Sequence, residues 1–395
     1  MKIGYDFDGV LTMNVGPIDI RGERHSIKTK TKDDVTIFEL IRDKILSELD
    51  QNDIYIISRN KSYNVIPLLE RFYPEIIKRI PKKNIITNLG DLSITKSEII
   101  IKLGIDEFYD DSPLNIHDIN RLCKKKIVQT DLFIVNPDTN SYQKINKNNL
   151  KILSYNVSWE NMKGQRNKRG IIHNEECLQP NFCATNIASF IRDELPLDFI
   201  FIQEAARIDL LVSNLHPSTH IILYKSGLET ILTIVDFHYK IINSIGGEFE
   251  YGRPFLCTFL STSICLINVH MGHKEDFYSD IHIIERQLKK NSYSNKIFES
   301  YRIIIGGDFN QKLNSTYTFM GKTIYKNTSS PSCGLKTKHN DKSIEDLSLF
   351  KMNYADHIFD SDNNIVYSMN LTPINSDNLI IPASDHLAVY AELLK

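Results

Sequence analysis

Apolar and polar positions follow two different periods along the first part of the chain. Apolar residues spaced three and four apart predict helices at residues 35–49, 63–77, 96–103 and 114–123. Short apolar runs rich in isoleucine and aromatic residues predict strands at residues 2–5, 53–57, 84–88, 107–109 and 126–135. Strands that alternate with helices in this way favour a Rossmann-like parallel sheet with helices on both faces.

The pattern changes after a polar stretch at residues 136–149, where asparagine, aspartate, lysine and proline predict a linker. We place the domain boundary near residue 147, which gives domains of residues 1–147 and 148–395. In the second domain, strands are predicted at residues 151–155, 199–202, 220–224, 231–235, 255–259, 263–269, 302–305 and 389–393, and helices at residues 184–194 and 277–290. Many strands with few helices predict a two-sheet α/β sandwich, and the whole chain falls in the α/β class.

Composition limits the setting in which the protein works. A chain of 395 residues is too long for one core of ordinary size, and no apolar run approaches the ~18 residues of a membrane span. No signal or transit peptide is visible, which predicts a cytoplasmic or nuclear protein that is not secreted. The six cysteines form no CxxC pair and are predicted to be free thiols in a reducing compartment. The net charge of −2 gives no global electrostatic argument for nucleic-acid binding, and the oligomeric state stays open.

Polar clusters stand at or near strand ends in the second domain. They are Ser154-Tyr155-Asn156-Val157, Gln203-Glu204, Asn268-Val269-His270, Gly306-Gly307-Asp308-Phe309-Asn310 and Ser384-Asp385-His386. Their carboxylates, carboxamides and histidines suit a Mg²⁺-assisted attack of water on a phosphate ester. Asp356 is the candidate to orient His386, and Arg253 offers a guanidinium fork to a phosphate oxygen.

The order of these motifs resembles the endonuclease/exonuclease/phosphatase family, which implies a deoxyribonuclease-I-like sandwich. The resemblance covers about residues 151–395 and rests on SYNV, QE, NVHMGH, GGDFN, the aspartate of YADHIF and the terminal SDH. It implies that Glu204 is the principal Mg²⁺ ligand, helped by Asn156 and Asp385. Asp308 and Asn310 would align or deprotonate the attacking water and hold the phosphate.

The same resemblance assigns roles to the two histidines of the second domain. His386, paired with Asp356, would stabilise the pentacovalent phosphorane, and His270 would contact the phosphate. The carboxylate that supports His270 stays open between Glu248 and Glu250.

A second acidic motif, Asp6-Phe7-Asp8-Gly9-Val10-Leu11, follows the first predicted strand. Two aspartates two residues apart at a strand end can present one carboxylate as nucleophile and the other as acid/base. Further along, Ser58 and Arg59 follow a strand and could bind phosphate, Lys96 opens a helix, and Asp110-Asp111 follow another strand, where carboxylates can hold Mg²⁺.

This set resembles the haloacid-dehalogenase-like phosphatase superfamily over about residues 1–135. The resemblance implies that Asp6 forms an aspartyl-phosphate and binds the metal, while Asp8 serves as acid/base. Ser58 and Lys96 would bind phosphate, with Lys102 as the alternative lysine. Asp110 would complete the metal site, assisted by Asp111. The short gap between the first two motifs implies an open site without a cap, suited to a large substrate.

Local features bear on the substrate class. Basic residues cluster at Lys163, Arg166, Lys168 and Arg169, which form either a phosphate-binding loop or a solvated one. Trp159 could stack a nucleobase, as could Tyr155 unless it packs inside the sandwich.

These sites together predict a bifunctional phosphoesterase that uses Mg²⁺, with Mn²⁺ as the alternative metal. The second domain would cleave a phosphodiester in nucleic acid, in RNA or at damaged ends, and the first would remove a terminal phosphate. Two alternatives stay open. One is a hydrolase of inositol phosphates, phospholipids or other small phosphoesters, and the other is an enzyme whose first domain is a non-catalytic binding module.

Overall fold

The computed structural model describes residues 1–13, 15, 35–89, 95–126, 128–146, 148–166, 170, 175–213, 215–227, 229–272, 277–291, 300–311, 313–326, 355–371, 383–384 and 386–395. These residues form two compact units, Met1–Lys147 and Asn148–Lys395.

The first unit is built on a mostly parallel sheet. Its strands are β1 (Lys2–Tyr5), β2 (Asp53–Ile57), β3 (Ile85–Ile86), β4 (Glu107–Asp110), β5 (Asp131–Asn136) and β6 (Ser141–Lys144). Its helices are α1 (Glu39–Glu48), α2 (Ser62–Phe72), α3 (Pro74–Arg79), α4 (Lys96–Leu103) and α5 (Pro113–Lys126). The strand order is β3-β2-β1-β4-β5-β6, in which the first five strands run parallel and β6 is antiparallel to β5. The carboxyl ends of the parallel strands therefore share one edge of the sheet.

Alternate strand residues supply the core of this unit. Ile3 of β1 and Ile54 of β2 join one apolar cluster with Ile41 of α1 and Val65 of α2. Burial of one strand face against helices is the arrangement that the alternating pattern favours.

Several sequence predictions for this unit are wrong in detail, including the strand expected at residues 84–88, which is only β3, and the helix expected from residue 35, which begins at Glu39. The strand expected from residue 126 begins only at Asp131, because α5 continues to Lys126. The helix expected at residues 63–77 ends at Phe72, and α3 starts anew at Pro74, a residue that suits a helix start because its missing N–H is not needed there. The expected linker contains β6, since Asn136 Oδ1 accepts the N–H of Asp138 and turns the chain into a hairpin.

The second unit contains the remaining elements. Its strands are β7 (Leu150–Asn156), β8 (Phe199–Gln203), β9 (His220–Ser226), β10 (Glu229–Val235), β11 (Ile241–Glu248), β12 (Pro254–Leu260), β13 (Ile264–His270), β14 (Arg302–Asp308), β15 (Thr316–Phe319), β16 (Lys322–Lys326), β17 (Asp356–Asp360), β18 (Ile365–Leu371) and β19 (Ala388–Leu393). Its helices are α6 (Trp159–Lys163), α7 (Phe182–Glu194), α8 (Ile208–Val212) and α9 (Phe277–Lys290).

Two mixed sheets enclose the core of this unit. Their strand orders are β18-β19-β7-β8-β10-β9 and β11-β12-β13-β14-β17-β16-β15. Ile152 and Phe201 of the first sheet pack in one buried cluster with Leu266 and Ile304 of the second. A separate cluster joins the second sheet to Ile284 and its neighbours on α9. The α/β class predicted from the sequence is confirmed.

Several strands of this unit were not predicted, namely β11, β15, β16, β17 and β18. In β11, Asn243, Gly246 and Gly247 lower the intrinsic strand preference, but pairing with β12 along a sheet edge overrides it.

The cysteine prediction requires a correction. Cys177 and Cys183 form a disulfide, because the turn between them brings their Cα atoms to 5.2 Å. Cys123, Cys257 and Cys265 are buried free thiols as expected, and Cys333 lies outside the described residues. Among the helices that the structure describes, none has the length and apolar character to cross a membrane.

Glycines allow β14 to pass close to its neighbours just before Asp308. A Cβ added at Gly306 would lie 2.4 Å from the ring of Phe201, and one added at Gly307 would lie 2.0 Å from the carbonyl oxygen of Val269. Only a residue without a side chain fits at Gly307, so this position fixes how closely β14 approaches β13.

Gly307→Ala should therefore destabilise the second unit by about 1–3 kcal/mol, because the backbone must shift to relieve the contact. Thermal unfolding followed by circular dichroism measures the loss. Gly321→Ala is the control, since that position also has positive φ but an added Cβ there meets no atom within 4 Å. Equal losses for the two variants would contradict the steric explanation.

Candidate functional site

Strand register brings three of the predicted site residues into one row. His270 is the last residue of β13, Asp308 the last of β14 and Asp356 the first of β17. His270 pairs with Asp308 in the parallel ladder, and Asp308 pairs with Asp356 in the antiparallel one. Residues opposite each other in a ladder place their side chains as near neighbours, so the row follows from the pairing alone.

The other sheet supplies Asn156 and Glu204. Asn156 ends β7 opposite Gln203, the last residue of β8, and Glu204 follows in the left-handed conformation with φ 54°. The Asn156 side-chain amide donates to Glu204 Oε1 at 3.1 Å and to Asp308 Oδ2 at 2.9 Å. It therefore joins carboxylates from both sheets. Its oxygen accepts the N–H of Ser158, so the metal-ligand role predicted for Asn156 would require the amide to turn over.

His386 and Asp356 form the pair that the sequence analysis proposed. His386 Nδ1 lies 2.8 Å from Asp356 Oδ2, and His386 Nε2 lies 3.9 Å from Asp308 Oδ2. Ser384 holds this segment to β7, because its hydroxyl donates to the Asn156 carbonyl and accepts the N–H of His386. Asp385, the third predicted metal ligand, lies outside the described residues.

The carboxylate beside His270 is Glu229, the first residue of β10. His270 Nδ1 lies 3.0 Å from Glu229 Oε2, whereas Glu248 and Glu250, the two candidates named from the sequence, are exposed. Both of those predictions are wrong. Arg253 donates to His270 Nε2 and to the Met271 carbonyl, so the ring proton of a neutral His270 resides on Nδ1, facing Glu229.

The loop after β14 completes the surroundings of Asp308. The backbone N–H of Asn310 donates to Asp308 Oδ1 at 2.8 Å, and the Asn310 side chain donates to the Met271 carbonyl at 2.9 Å. Asn310 adopts φ 54°, a conformation that asparagine tolerates better than most residues.

Electrostatics keeps two carboxylates of this site, those of Asp308 and Glu229, ionised. Burial raises the pKa of Asp308, but His386, His270 and the Asn156 amide outweigh burial and hold the pKa below its ordinary value. Burial likewise raises the pKa of Glu229, while His270 and Arg253 lower it by more. Both carboxylates are therefore negatively charged at neutral pH.

The donor set fits a divalent cation. One atom each of Glu204, His270 and Asp308 lies within 4.8 Å of the others, and so does one atom each of Asp308, Asp356 and His386. Carboxylate oxygens from Glu204 and Asp308 are the hard ligands that Mg²⁺ and Mn²⁺ accept.

The predicted site of the first unit also assembles at strand ends. Asp6 follows β1, Ser58 follows β2, and Asp110 ends β4. Lys96, the first residue of α4, is buried with its ammonium 2.9 Å from Asp6 Oδ2 and 2.8 Å from Asp110 Oδ2. Lys102, the alternative lysine, is exposed.

Other side chains tighten this cluster. Asn60 donates to Asp8 Oδ2, and Asn115 donates to both oxygens of Asp110. Gly9 has φ 77°, and a Cβ there would lie 2.0 Å from an Asp111 carboxylate oxygen, so glycine is required beside that group. Sequence reasoning missed Asn60 and Asn115, because amides are common in loops and neither belongs to a spaced motif.

The charges of the first site also fit a divalent cation. Burial raises the pKa of Asp6 to about 7, aided by Asp110 and Asp8 and opposed by Lys96. Burial also raises the pKa of Asp8, against the effects of Lys96 and Asn60. One oxygen each of Asp6, Asp110 and Asp111 lies within 4.8 Å of the others, so a divalent ion would offset buried negative charge.

The structure bears on two features that were considered for substrate contact. Tyr155 is fully buried and packs edge-on against Phe190, so it belongs to the core. Arg166 is ion-paired with Glu175, and Lys168 and Arg169 lie outside the described residues.

Comparison with known proteins gives the following matches. No protein-family model matches the chain. The uncharacterized protein L684 of Acanthamoeba polyphaga mimivirus is 32% identical over 274 residues, 62% of this chain and 50% of that protein, so the chain spans about half the length of this relative. D. rerio TDP2 complexed with single strand DNA product is 14% identical, with a TM-score of 0.43, over 63% of this chain and 100% of that chain. An endonuclease/exonuclease/phosphatase family protein from Bacteroides thetaiotaomicron has the same identity and TM-score over 63% of this chain and 99% of that chain.

Asp6 makes the stability of the first unit depend on pH. Its pKa is about 7 in the folded unit and 3.8 ordinarily, so the folded state binds this proton more tightly than the unfolded state. The resulting stabilisation is fully present below about pH 4 and is lost as the pH rises through about 7. In EDTA, we expect the melting temperature of the wild type to fall relative to that of Asp6→Asn as the pH rises from about 4 to about 7.

Excess Mg²⁺ at pH 8 should restore the lost stability to the wild type and leave Asp6→Asn largely unaffected, because the ion binds the deprotonated carboxylate. A melting difference between the two proteins that does not change with pH would contradict the raised pKa.

Proposed function

We propose that the second unit is a divalent-metal-dependent phosphoesterase. The observation that carries the proposal is the convergence of Glu204, Asp308 and two histidine–carboxylate pairs, His270–Glu229 and His386–Asp356, at neighbouring strand ends. Carboxylates that can hold an ion, together with oriented imidazoles and a guanidinium, are the groups that phosphoryl transfer from an ester to water requires.

Glu204 and Asp308 would hold the ion, and Asp385 is the further ligand that we propose from the sequence. When bound, the ion would neutralise charge on the phosphoryl oxygens and polarise phosphorus toward attack.

The residues around Asp308 suit the transfer of a proton from water. As the water oxygen bonds to phosphorus and the bond to the leaving oxygen breaks, the water proton passes to Asp308 Oδ2, and the leaving oxygen takes a proton from solvent. His386 presents Nε2 toward Asp308, 3.9 Å away, and Asp356 fixes its ring through Nδ1. A protonated His386 would therefore donate to a phosphoryl oxygen held beside Asp308.

Arg253 is placed to meet the phosphate, with His270 and Glu229 behind it. The His270 side chain is fully buried, whereas that of Arg253 is 19% exposed. The Glu229 side chain also reaches solvent, at 24% exposure, but of these two groups only the guanidinium carries the positive charge that a phosphate oxygen requires. His270 and Glu229 act by fixing its position.

We propose a nucleic acid as the substrate of the second unit. The support is an exposed lysine, Lys163, and a partly exposed tryptophan, Trp159, on a helix that begins beside Glu204. Inositol phosphates and phospholipids offer no aromatic base for such a tryptophan.

For the first unit we propose phosphomonoester hydrolysis through Asp6. An oxygen of Asp6 would bond to phosphorus while the ester bond breaks, and the leaving oxygen would take a proton from Asp8, whose pKa is raised by burial. Water would then attack the aspartyl-phosphate and return the proton to Asp8. The Lys96 ammonium, placed between Asp6 and Asp110, would offset the negative charge of the two carboxylates and of the phosphate. The contact of Lys96 with both carboxylates is the observation that carries this proposal.

Glu204→Gln should lower metal-dependent hydrolysis by the second unit by at least about 100-fold, because the amide cannot supply the negative charge that holds the ion. The measurement is the initial rate of cleavage of a labelled single-stranded oligonucleotide in Mg²⁺ or Mn²⁺. Glu250→Gln, an exposed change of the same chemistry, should retain the wild-type rate. Near-wild-type turnover by Glu204→Gln would refute the assignment.

Asp6→Asn should abolish phosphate release from a 5′- or 3′-phosphorylated oligonucleotide, because the amide cannot act as the nucleophile. Cleavage of the internal phosphodiester by the second unit should persist. Asp43→Asn, at an exposed position on α1, is the control for both assays. Persistent phosphate release by Asp6→Asn would leave the first unit as a non-catalytic module.

A further inference from the structure

The short helix α6 carries two neighbouring side chains, Trp159 and Lys163, that are more exposed than the residues between them. Glu160, Asn161 and Met162 are buried at 8%, 1% and 1% exposure, whereas Trp159 is partly exposed and Lys163 is exposed. Residues four apart share a helix face, so these two side chains stand together. The Lys163 ammonium lies 5.1 Å from the centroid of the Trp159 ring.

This helix is fixed to the site at its first residue. The backbone N–H of Trp159 donates to Glu204 Oε2 at 3.3 Å, and Ser158 before it donates its N–H to Asn156 Oδ1. The Trp159 Cα therefore lies within about 5 Å of the carboxylate that we assign to the metal. These two bonds hold the backbone of Trp159 beside Glu204, so the ring can change position only by rotation about its own side-chain bonds.

The far end of α6 is held as firmly. Gly164 ends the helix in the left-handed conformation, and a Cβ there would lie 2.7 Å from the Cys177 carbonyl oxygen. The turn that contains Cys177 is closed by the disulfide to Cys183. Support at both ends fixes the backbone that carries the aromatic ring, so only the side-chain torsions of Trp159 remain to be ordered on binding.

We propose that Trp159 stacks a nucleobase of a single-stranded nucleic acid, adjacent to the phosphate held at Glu204 and Asp308, while Lys163 contacts a neighbouring backbone phosphate. This inference rests on the proposed function, because it takes Glu204 as the position of the reacting phosphate. A single strand is required, since stacking on a side chain needs a base that is unstacked from its neighbours. Stacking on a rigid ring also predicts tolerance of base identity.

The chain contains one tryptophan, so its fluorescence reports this residue alone. The probe is a single-stranded DNA oligonucleotide, compared with an oligomer of equal length that carries tetrahydrofuran in place of every nucleoside sugar and base. With Glu204→Gln protein, we expect the DNA to quench the fluorescence and the abasic oligomer to leave it unchanged. The abasic oligomer should bind about 5- to 150-fold more weakly.

Variants in the Glu204→Gln background test the residue directly, by anisotropy of the labelled oligomers. Trp159→Leu should bind both oligomers alike, and Trp159→Phe should keep part of the preference for bases. Phe237→Leu is the matched control, because Phe237 is also an exposed aromatic but follows β10 at the end opposite Glu229, about 20 Å along the strand. A preference for bases that survives in Trp159→Leu, or that is absent from the parent protein, would overturn the inference.

Cleavage by the wild-type protein separates this inference from the proposed function. Metal-dependent cleavage of DNA and abasic oligomer at equal kcat/KM would overturn the stacking inference and leave the phosphoesterase standing. Absence of cleavage, together with a base preference that requires Trp159, would overturn the phosphoesterase and support the stacking.

Discussion

The buried carboxylate of Asp308 is the group on which the second site depends. A charge with 1% exposure is costly unless donors surround it, and here they come from both sheets. Asn156 donates from β7, the backbone of Asn310 donates from beyond β14, and imidazoles approach from β13 and from the segment before β19. Correct packing of the two sheets and assembly of the site are therefore the same event.

The two units meet a similar problem with different counter-charges. In the first, buried aspartates at the ends of parallel strands surround one ammonium, that of Lys96, and burial still raises the pKa of Asp6. In the second, imidazoles and Arg253 hold the pKa of Asp308 down. The first arrangement favours a carboxylate that carries a proton, and the second favours a carboxylate that is ionised before reaction, as both a cation ligand and an acceptor of the water proton must be.

Sequence patterns recovered the features that are local or that repeat with a period. Helices α4 and α9 occupy the predicted bounds. The pairing of His386 with Asp356 was predicted from the motifs, and the two side chains lie 2.8 Å apart. Glu229 was not recoverable, since its contact with His270 depends on how one sheet packs against the other rather than on spacing along the chain. Asn60 beside Asp8 was missed because it belongs to no spaced motif, and the disulfide was missed because Cys177 and Cys183 form no CxxC pair. The two interpretations of Tyr155 were decided by its burial in the structure.

The central claim is that Glu204 and Asp308 bind one divalent ion together. A crystal of the protein grown with Mn²⁺ tests this most directly, through the anomalous difference map. The account predicts a single strong peak in the second unit, about 2.2 Å from a carboxylate oxygen of Glu204 and within reach of Asp308, that is absent from Glu204→Gln crystals grown in the same way. No peak at Glu204 at saturating Mn²⁺, or an undiminished peak in the variant, would contradict it.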